Sequence, residues 1–164
     1  MTGNILARDL MKTSFLRVGT THTLREALAI LLSPTSRSEG PRVFVILNLD
    51  GTFAGTLSLR YLLKALVPDW AFDDAALTDP KAFEEKLLAA MPERLDMTVS
   101  EAMKHDQTFA TPTDRLPKLI QLMQSRELQC LPVLDHNRVA GVLYLNDVFR
   151  AAAHLALTTQ SESS

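Results

Sequence analysis

The chain has 164 residues, of which 46% are hydrophobic and 22% charged, with a net charge of −2. That length buries one good core or two small ones that share an interface, and the composition excludes wholesale disorder. The weak net charge argues against a broad nucleic-acid footprint. No apolar stretch approaches the roughly 18 residues of a membrane span, and Met1–Asp9 has no signal-peptide core, so a cytoplasmic protein without a membrane partner is expected. The one cysteine, Cys130, excludes an intrachain disulfide and reads as a small buried apolar residue.

In chain order, Leu24, Ala27, Leu28, Leu31 and Leu32 fall on one helical stripe. Thr23 and Glu26 form a capping box before it. Ser33–Pro41, rich in Ser, Pro and Gly, reads as an exposed loop. Val43–Leu47 has the continuous apolar pattern of a strand buried on both faces. Asp50-Gly51 supplies a turn, Phe53–Leu57 a returning strand, and Leu59–Val67 a second helix. Between Pro68 and Pro92 lies an insertion with its own helix. Asp79 is its N-cap, Pro80 its first residue, and Phe83, Leu87, Ala90 and Met91 its apolar face; it is expected to dock on the module or on a second copy. Trp70 and Phe72 read as anchors of this insertion, and the acids around them, Asp69, Asp73, Asp74 and Asp79, as a solvated loop.

The second half repeats the first. Leu116, Leu119, Ile120 and Met123 copy the stripe, with Pro117 tolerated in the first turn. Leu131–Leu134, a turn at Asp135–Arg138, Val139–Leu145 and a helix over Asn146–Leu157 follow. Short extended segments, Phe15–Val18 and Thr108–Thr111, precede the two units. Met11 and Met103 are 92 residues apart, as are Leu24 and Leu116, whereas the Ala-Gly pairs at Gly55 and Gly141 are 86 apart. A duplication at matched offsets predicts two similar units about a pseudo-two-fold axis, with function sought between them. The expected units are residues 7–67 and 97–157, an insertion over 68–96, and a disordered tail over 158–164, which lacks apolar residues.

The chain resembles a tandem pair of cystathionine β-synthase (CBS) domains, a stand-alone Bateman module. The marks are Asp-Leu-Met at 9–11 with a leucine thirteen residues after the Met, Leu-Pro-Val-Leu-Asp at 131–135, and Gly141 followed by Asp147. The resemblance implies an α+β fold: two pseudo-symmetric helix-strand-strand-helix repeats, each with a short extra strand, packed through their small sheets. It also implies a regulatory module that binds AMP, ADP, ATP or S-adenosylmethionine as a regulatory ligand, requires no cofactor, and passes occupancy to a partner enzyme or transporter. In such pairs a Ser or Thr three residues after the glycine faces phosphate, and an Asp six after it holds the ribose hydroxyls. This chain has Ser58 and Tyr61 in one repeat and Tyr144 and Asp147 in the other.

By resemblance, Asp147 serves the better cleft, with Lys12 and Arg17 as cations for a phosphate. The bland alternatives are that Asp147 is an N-cap and the cations are solvated edge residues. The mirror cleft would hold Ser58, Tyr61, Lys104 and Phe109, with a base stacked on an aromatic ring or the space filled by its own side chains. A homodimer through Leu59–Val67 and Val148–Leu157 is implied by the same likeness. No catalytic or metal site is expected: His22, His105, His136 and His154 are scattered, and no nucleophile elbow, P-loop or Rossmann fingerprint is present. The alternative function is a ligand-free scaffold that keeps the fold with degenerate sites.

Overall fold

The computed structural model describes residues 4–34, 42–72 and 78–162, with backbone alone for 160–162. Most of the Ser33–Pro41 loop and the acids Asp73 and Asp74 lie outside the described residues. The elements follow the expected α+β order: α1 (Ala7–Leu10), β1 (Leu16–Gly19), α2 (Leu24–Leu31), β2 (Val43–Leu47), β3 (Phe53–Ser58), α3 (Leu59–Leu66), α4 (Pro80–Ala90), α5 (Val99–Ala102), α6 (Leu116–Ser125), β4 (Cys130–Asp135), β5 (Arg138–Tyr144) and α7 (Leu145–Glu162).

Local chemistry sets several of these boundaries. The Thr23 hydroxyl accepts from the Glu26 N–H at 3.2 Å and the Glu26 carboxylate from the Thr23 N–H at 3.4 Å, which makes the capping box of α2. The Asp79 carboxylate accepts from the Ala82 N–H at 3.3 Å, with Pro80 leading α4. The β4–β5 hairpin turns on His136 and Asn137, both at positive φ, as a two-residue primed turn requires.

The strands form two small sheets. In the first, β1 pairs parallel with β2, and β2 antiparallel with β3; the second is the β4–β5 hairpin. The extra strand of the second repeat shrinks to one parallel bridge, Ala110 with Val133. Two prolines explain why. The Ala110 N–H donates to the Pro132 carbonyl, and the Leu134 N–H to the Ala110 carbonyl, but the next donors along this ladder fall on Pro132 and Pro112, which have no N–H. In the first repeat Thr20 stands where Pro112 stands in the second, and its N–H donates to Leu47 at 3.1 Å.

Three apolar clusters hold the chain together. Phe44, Ile46 and Leu57 meet Leu24, Ala27 and Leu62 in the first repeat, while Leu131, Val133 and Leu143 meet Leu116, Leu119 and Met123 in the second. The opposite faces of the same strands, with Val43, Val45 and Phe53 against Cys130, Val142 and Tyr144, bury one sheet on the other. Alternation sends each strand residue to its own core or to the shared one, so β2 is buried on both faces. Cys130 is buried in this shared layer.

The opening turns are exchanged between the repeats. Ala7, in α1, packs in the second core, and its N–H donates to Asp114 at 2.9 Å; Val99 and Ala102, in α5, pack in the first core, with the Val99 N–H on His22 at 2.7 Å. The insertion is tied on by Arg94, whose Nη1 donates to the Ala65 carbonyl at 3.2 Å, and by Asp96, which lies 3.6 Å from Arg25. Trp70 meets Phe83 edge to face with ring centroids 6.0 Å apart, a contact within the insertion itself, and both Trp70 and Phe72, expected to be anchors, stand exposed.

The tail is a correction. Helix α7 continues through Thr158 to Glu162 rather than ending at Leu157. No Gly or Pro interrupts it, Leu155 packs on the second core, and Thr158 Oγ1 donates to the carbonyls of His154 and Leu155. Once a helix is nucleated by packing, adding residues costs little even when they are polar.

Candidate functional site

Each cleft begins where the segment after an exchanged turn meets the last strand of a repeat. The Lys12 N–H donates to Val142 and the Val142 N–H to Lys12, both at 2.9 Å; on the other side the Lys104 N–H donates to Thr56 at 3.0 Å. Both approaches depend on the glycine next to the bridge. A Cβ on Gly55 would lie 2.5 Å from the Lys104 carbonyl oxygen, and one on Gly141 would lie 2.8 Å from that of Lys12, closer than a side chain tolerates. The two Ala-Gly pairs of the sequence therefore serve close backbone approach. Lys12 is bridged to the strand that leads into Tyr144 and Asp147, and Lys104 lines one cavity with Ser58 and Tyr61.

From this shared frame the clefts diverge. Ser58 is the N-cap of α3, its hydroxyl accepting from the Tyr61 N–H at 3.3 Å, and beyond it opens a cavity of about 390 Å³. Arg42, Arg60, Lys104 and Tyr61 line it from the first repeat and the exchanged segment, and Glu127 and Cys130 from the second repeat. Among the described lining residues, three cations and one carboxylate gather at the amino end of a helix, a setting that favours an anion. Arg42 is fixed by donating Nη1 to the Leu31 carbonyl at 2.7 Å, which caps α2. Lys104 Nζ lies 3.7 Å from Asp106. Burial pushes the Cys130 thiol up to about 11 against the opposing pull of Lys104, so it lines the cavity as a neutral group.

On the opposite side Tyr144 occupies the position of Ser58. It is 2% exposed and its ring belongs to the layer between the sheets. Burial, with Cys130 and Asp147 nearby, raises its phenol above the usual tyrosine value. Asp147 is half-buried and is the third residue of α7, in its first turn, not its N-cap. Arg17 is held over the Phe15 ring, 4.6 Å from its centroid. Thus Ser58, Tyr61 and Lys104 are brought together around one cavity, whereas Phe109 lines a separate depression of about 290 Å³ with Gln107, Phe53 and Asn137. The grouping of Phe109 with Ser58 is corrected accordingly. Gln107 Nε2 donates to the Ala54 carbonyl at 3.2 Å, and the exposed Phe109 ring stands on the Phe53 side of the hairpins, away from the start of α3.

The sequence reading missed Arg42, Arg60 and Glu127. Arg60 had a signal, because it stands between Ser58 and Tyr61 in the first turn of α3. Arg42 and Glu127 enter from the starts of β2 and β4, which only the packing of the sheets brings to this cleft. Among the described residues, no three His, Cys, Asp or Glu gather as metal ligands, and no helix is long and apolar enough to cross a membrane.

Comparisons with known proteins agree with this architecture. The chain is 26% identical over 102 residues to the uncharacterized protein MJ1225 of Methanocaldococcus jannaschii, a match over 62% of this chain and 32% of that protein. It thus spans about a third of that relative's length. Among solved structures, the cytosolic domain of the Mg2+ channel MgtE in complex with ATP superposes with a TM-score of 0.66 at 21% identity, over 88% of this chain and 48% of that one. A protein from Vibrio cholerae proposed to act in acetoin utilization (AcuB) superposes at 0.62 and 23% identity, over 98% of both chains. The structure of MJ1225, proposed as an archaeal homologue of g-AMPK, gives 0.66 at 21% identity, over 90% of this chain and 48% of that one. These likenesses speak to the fold. The CBS domain model matches residues 7–68 and 99–154, the same two units that the duplicated offsets mark out, and the chain therefore belongs to the CBS domain family.

Proposed function

We propose that this chain is a regulatory module that takes an adenine nucleotide in the cleft beside Ser58 and passes its occupancy to a partner protein. The observation that carries this reading is the cavity between the repeats, where Arg42, Arg60 and Lys104 surround the start of α3 and Tyr61 offers an aromatic face. Its volume suits a mononucleotide. Helix N–H groups and guanidinium forks favour phosphate, and an aromatic ring favours a flat base. The cavity at Ser58 favours this cleft over the one at Asp147, where the residue at the Ser58 position is the buried Tyr144. The ATP complex of the MgtE cytosolic domain makes ATP the first ligand to try.

The test is a thermal-shift and calorimetry panel of AMP, ADP, ATP, S-adenosylmethionine and inorganic phosphate. At a hundred times the dissociation constant a ligand adds about 2.7 kcal/mol, so the melting temperature should rise by roughly 5–10 °C. A flat response across the panel supports the second reading, a ligand-free scaffold, which the burial of Tyr144 at the phosphate-facing position of the second repeat favours. Either reading accommodates a homodimer through α3 and α7, where Leu59, Leu63 and Phe149 stand exposed. Light scattering at micromolar concentration tests it, and a mass of 18.2 kDa would count against it.

A further inference from the structure

The turn that ends α6 carries the one acid among the described residues that line the cavity. The Leu128 N–H donates to the Met123 carbonyl at 2.9 Å and the Glu127 N–H to that of Gln124 at 3.4 Å, the paired bonds of a Schellman cap. In that motif the residue after the cap takes left-handed backbone and is ordinarily glycine. Here it is Glu127, at φ 52. A side chain in this conformation costs stability that glycine would not. The Glu127 carboxylate makes no hydrogen bond or ion pair among the described residues, yet Glu127, exposed at its turn, lines the cleft with Arg42, Arg60 and Lys104.

Such an acid weakens the binding of an anion unless the ligand gives it something to accept. Phosphate oxygens are mostly deprotonated at neutral pH and act chiefly as acceptors. A vicinal diol donates, and a carboxylate can accept from both of its hydroxyls at once. The first turn of α3 brings a hydroxyl at Ser58 and an arginine at Arg60, but its third residue, Tyr61, is no carboxylate. We infer that Glu127 is the specificity-determining residue of this cleft: contributed by the second repeat from a left-handed turn, it accepts from the sugar hydroxyls of the nucleotide while Arg60, Lys104 and the start of α3 face the phosphates. This rests on the nucleotide reading above. It makes the cleft selective for a ribonucleotide over its deoxy counterpart.

The experiment is calorimetry of ATP and 2′-deoxyATP on the full chain and on E127Q and E127G, with the melting temperature of each unliganded protein. The parent should bind ATP about tenfold more tightly than 2′-deoxyATP, as loss of a hydrogen bond to a charged acceptor implies. Both variants should bind the two nucleotides alike, near the parent's affinity for 2′-deoxyATP. E127G should also melt a few degrees above the parent, because glycine relieves the left-handed turn; higher stability with lost discrimination separates the role of the carboxylate from damage to the fold. Equal binding of ATP and 2′-deoxyATP by the parent overturns the inference and leaves the nucleotide reading standing. So does a tenfold preference that survives in E127Q. A variant that weakens both nucleotides equally assigns the carboxylate to the base and overturns the diol assignment. If neither nucleotide binds the parent, the nucleotide reading falls and takes this inference with it.

Discussion

Where β3 runs into α3 the first repeat has Ser58, half-buried and capping its helix; where β5 runs into α7 the second has Tyr144, buried between the sheets. Three residues further on, Tyr61 lines an open cavity in one repeat, and Asp147 stands half-buried near the Tyr144 phenol in the other. The backbones around these positions match closely, down to the bridge each exchanged segment makes and the glycine each bridge needs. A duplicated backbone therefore does not guarantee duplicated chemistry. A buried aromatic at one strand–helix junction and a small capping residue at the other are enough to give the two clefts different chemistry.

The most damaging way to break this comparison is to make the second junction resemble the first. Tyr144→Ser removes a ring that is 2% exposed and packed on Val43, Val45 and Cys130. Truncating a buried aromatic costs about 3–5 kcal/mol, and the urea midpoint should fall accordingly. Ser58→Ala removes only the cap of α3, worth about 1 kcal/mol. If the two substitutions cost the same, the clefts are not as different as their packing says.

The bridges are a place where the two repeats should behave alike. Gly55→Ala and Gly141→Ala each press a Cβ on a lysine carbonyl oxygen of the exchanged segment, and on Met103 or Met11 beside it. Overpacking of this kind costs about 1–3 kcal/mol. Chemical unfolding should show losses of similar size for both. A neutral effect at either position would mean that its segment moves away at little cost.

These expectations show what could be read from residues alone. The capping box at Thr23 and Glu26, the cap at Asp79 and the two-sided burial of β2 depend on neighbours within a few positions, and periodicity carries them. The duplicated offsets carry the architecture. The exchange of α1 and α5 was not legible, since Ala7 looks equally suited to either core until the sheets are packed. Nor was the open cleft. By resemblance alone Asp147 outranks Tyr61, but space is decided by the burial of Tyr144, a tertiary fact. Glu127 was hidden for a further reason: a left-handed turn ordinarily advertises itself with Gly, and this one does not.

Ligand affinity sharpens the comparison at the next scale. Arg60→Ala should weaken ATP by about tenfold at low salt, as expected for one charge-assisted contact, and by less as salt screens it. Asp147→Asn, near the buried Tyr144, should change the affinity by less than twofold. This ordering is the reverse of what the motif positions alone suggest. Calorimetry at two salt concentrations checks it, and a larger loss with Asp147→Asn would return the site to the second repeat.

The smallest expected effect belongs to the acid beside Lys104. Asp106 lies 3.7 Å from Lys104, while the position that follows Lys12 in the same way is Ser14. The Thr108 hydroxyl donates to the Asp106 carboxylate and holds it below the ordinary aspartate value of 3.8; partial burial opposes this, and the Thr108 N–H at 2.9 Å and Lys104 add to it. A carboxyl whose folded value lies below its unfolded one stabilises the fold above the unfolded value. That contribution is lost as the pH falls through the folded value. Asp106→Asn should therefore cost less than about 1 kcal/mol at pH 7, and the gap between variant and parent should close as the pH drops below the ordinary aspartate value. At pH 7 the same substitution removes a carboxylate that competes for Lys104, so the affinity for ATP should rise by about twofold at low salt. Urea unfolding from pH 7 down to pH 3, paired with calorimetry at pH 7, measures both. A stability gap that stays constant with pH would mean that the variant acts through altered packing of the Lys104–Thr108 segment and not through its charge.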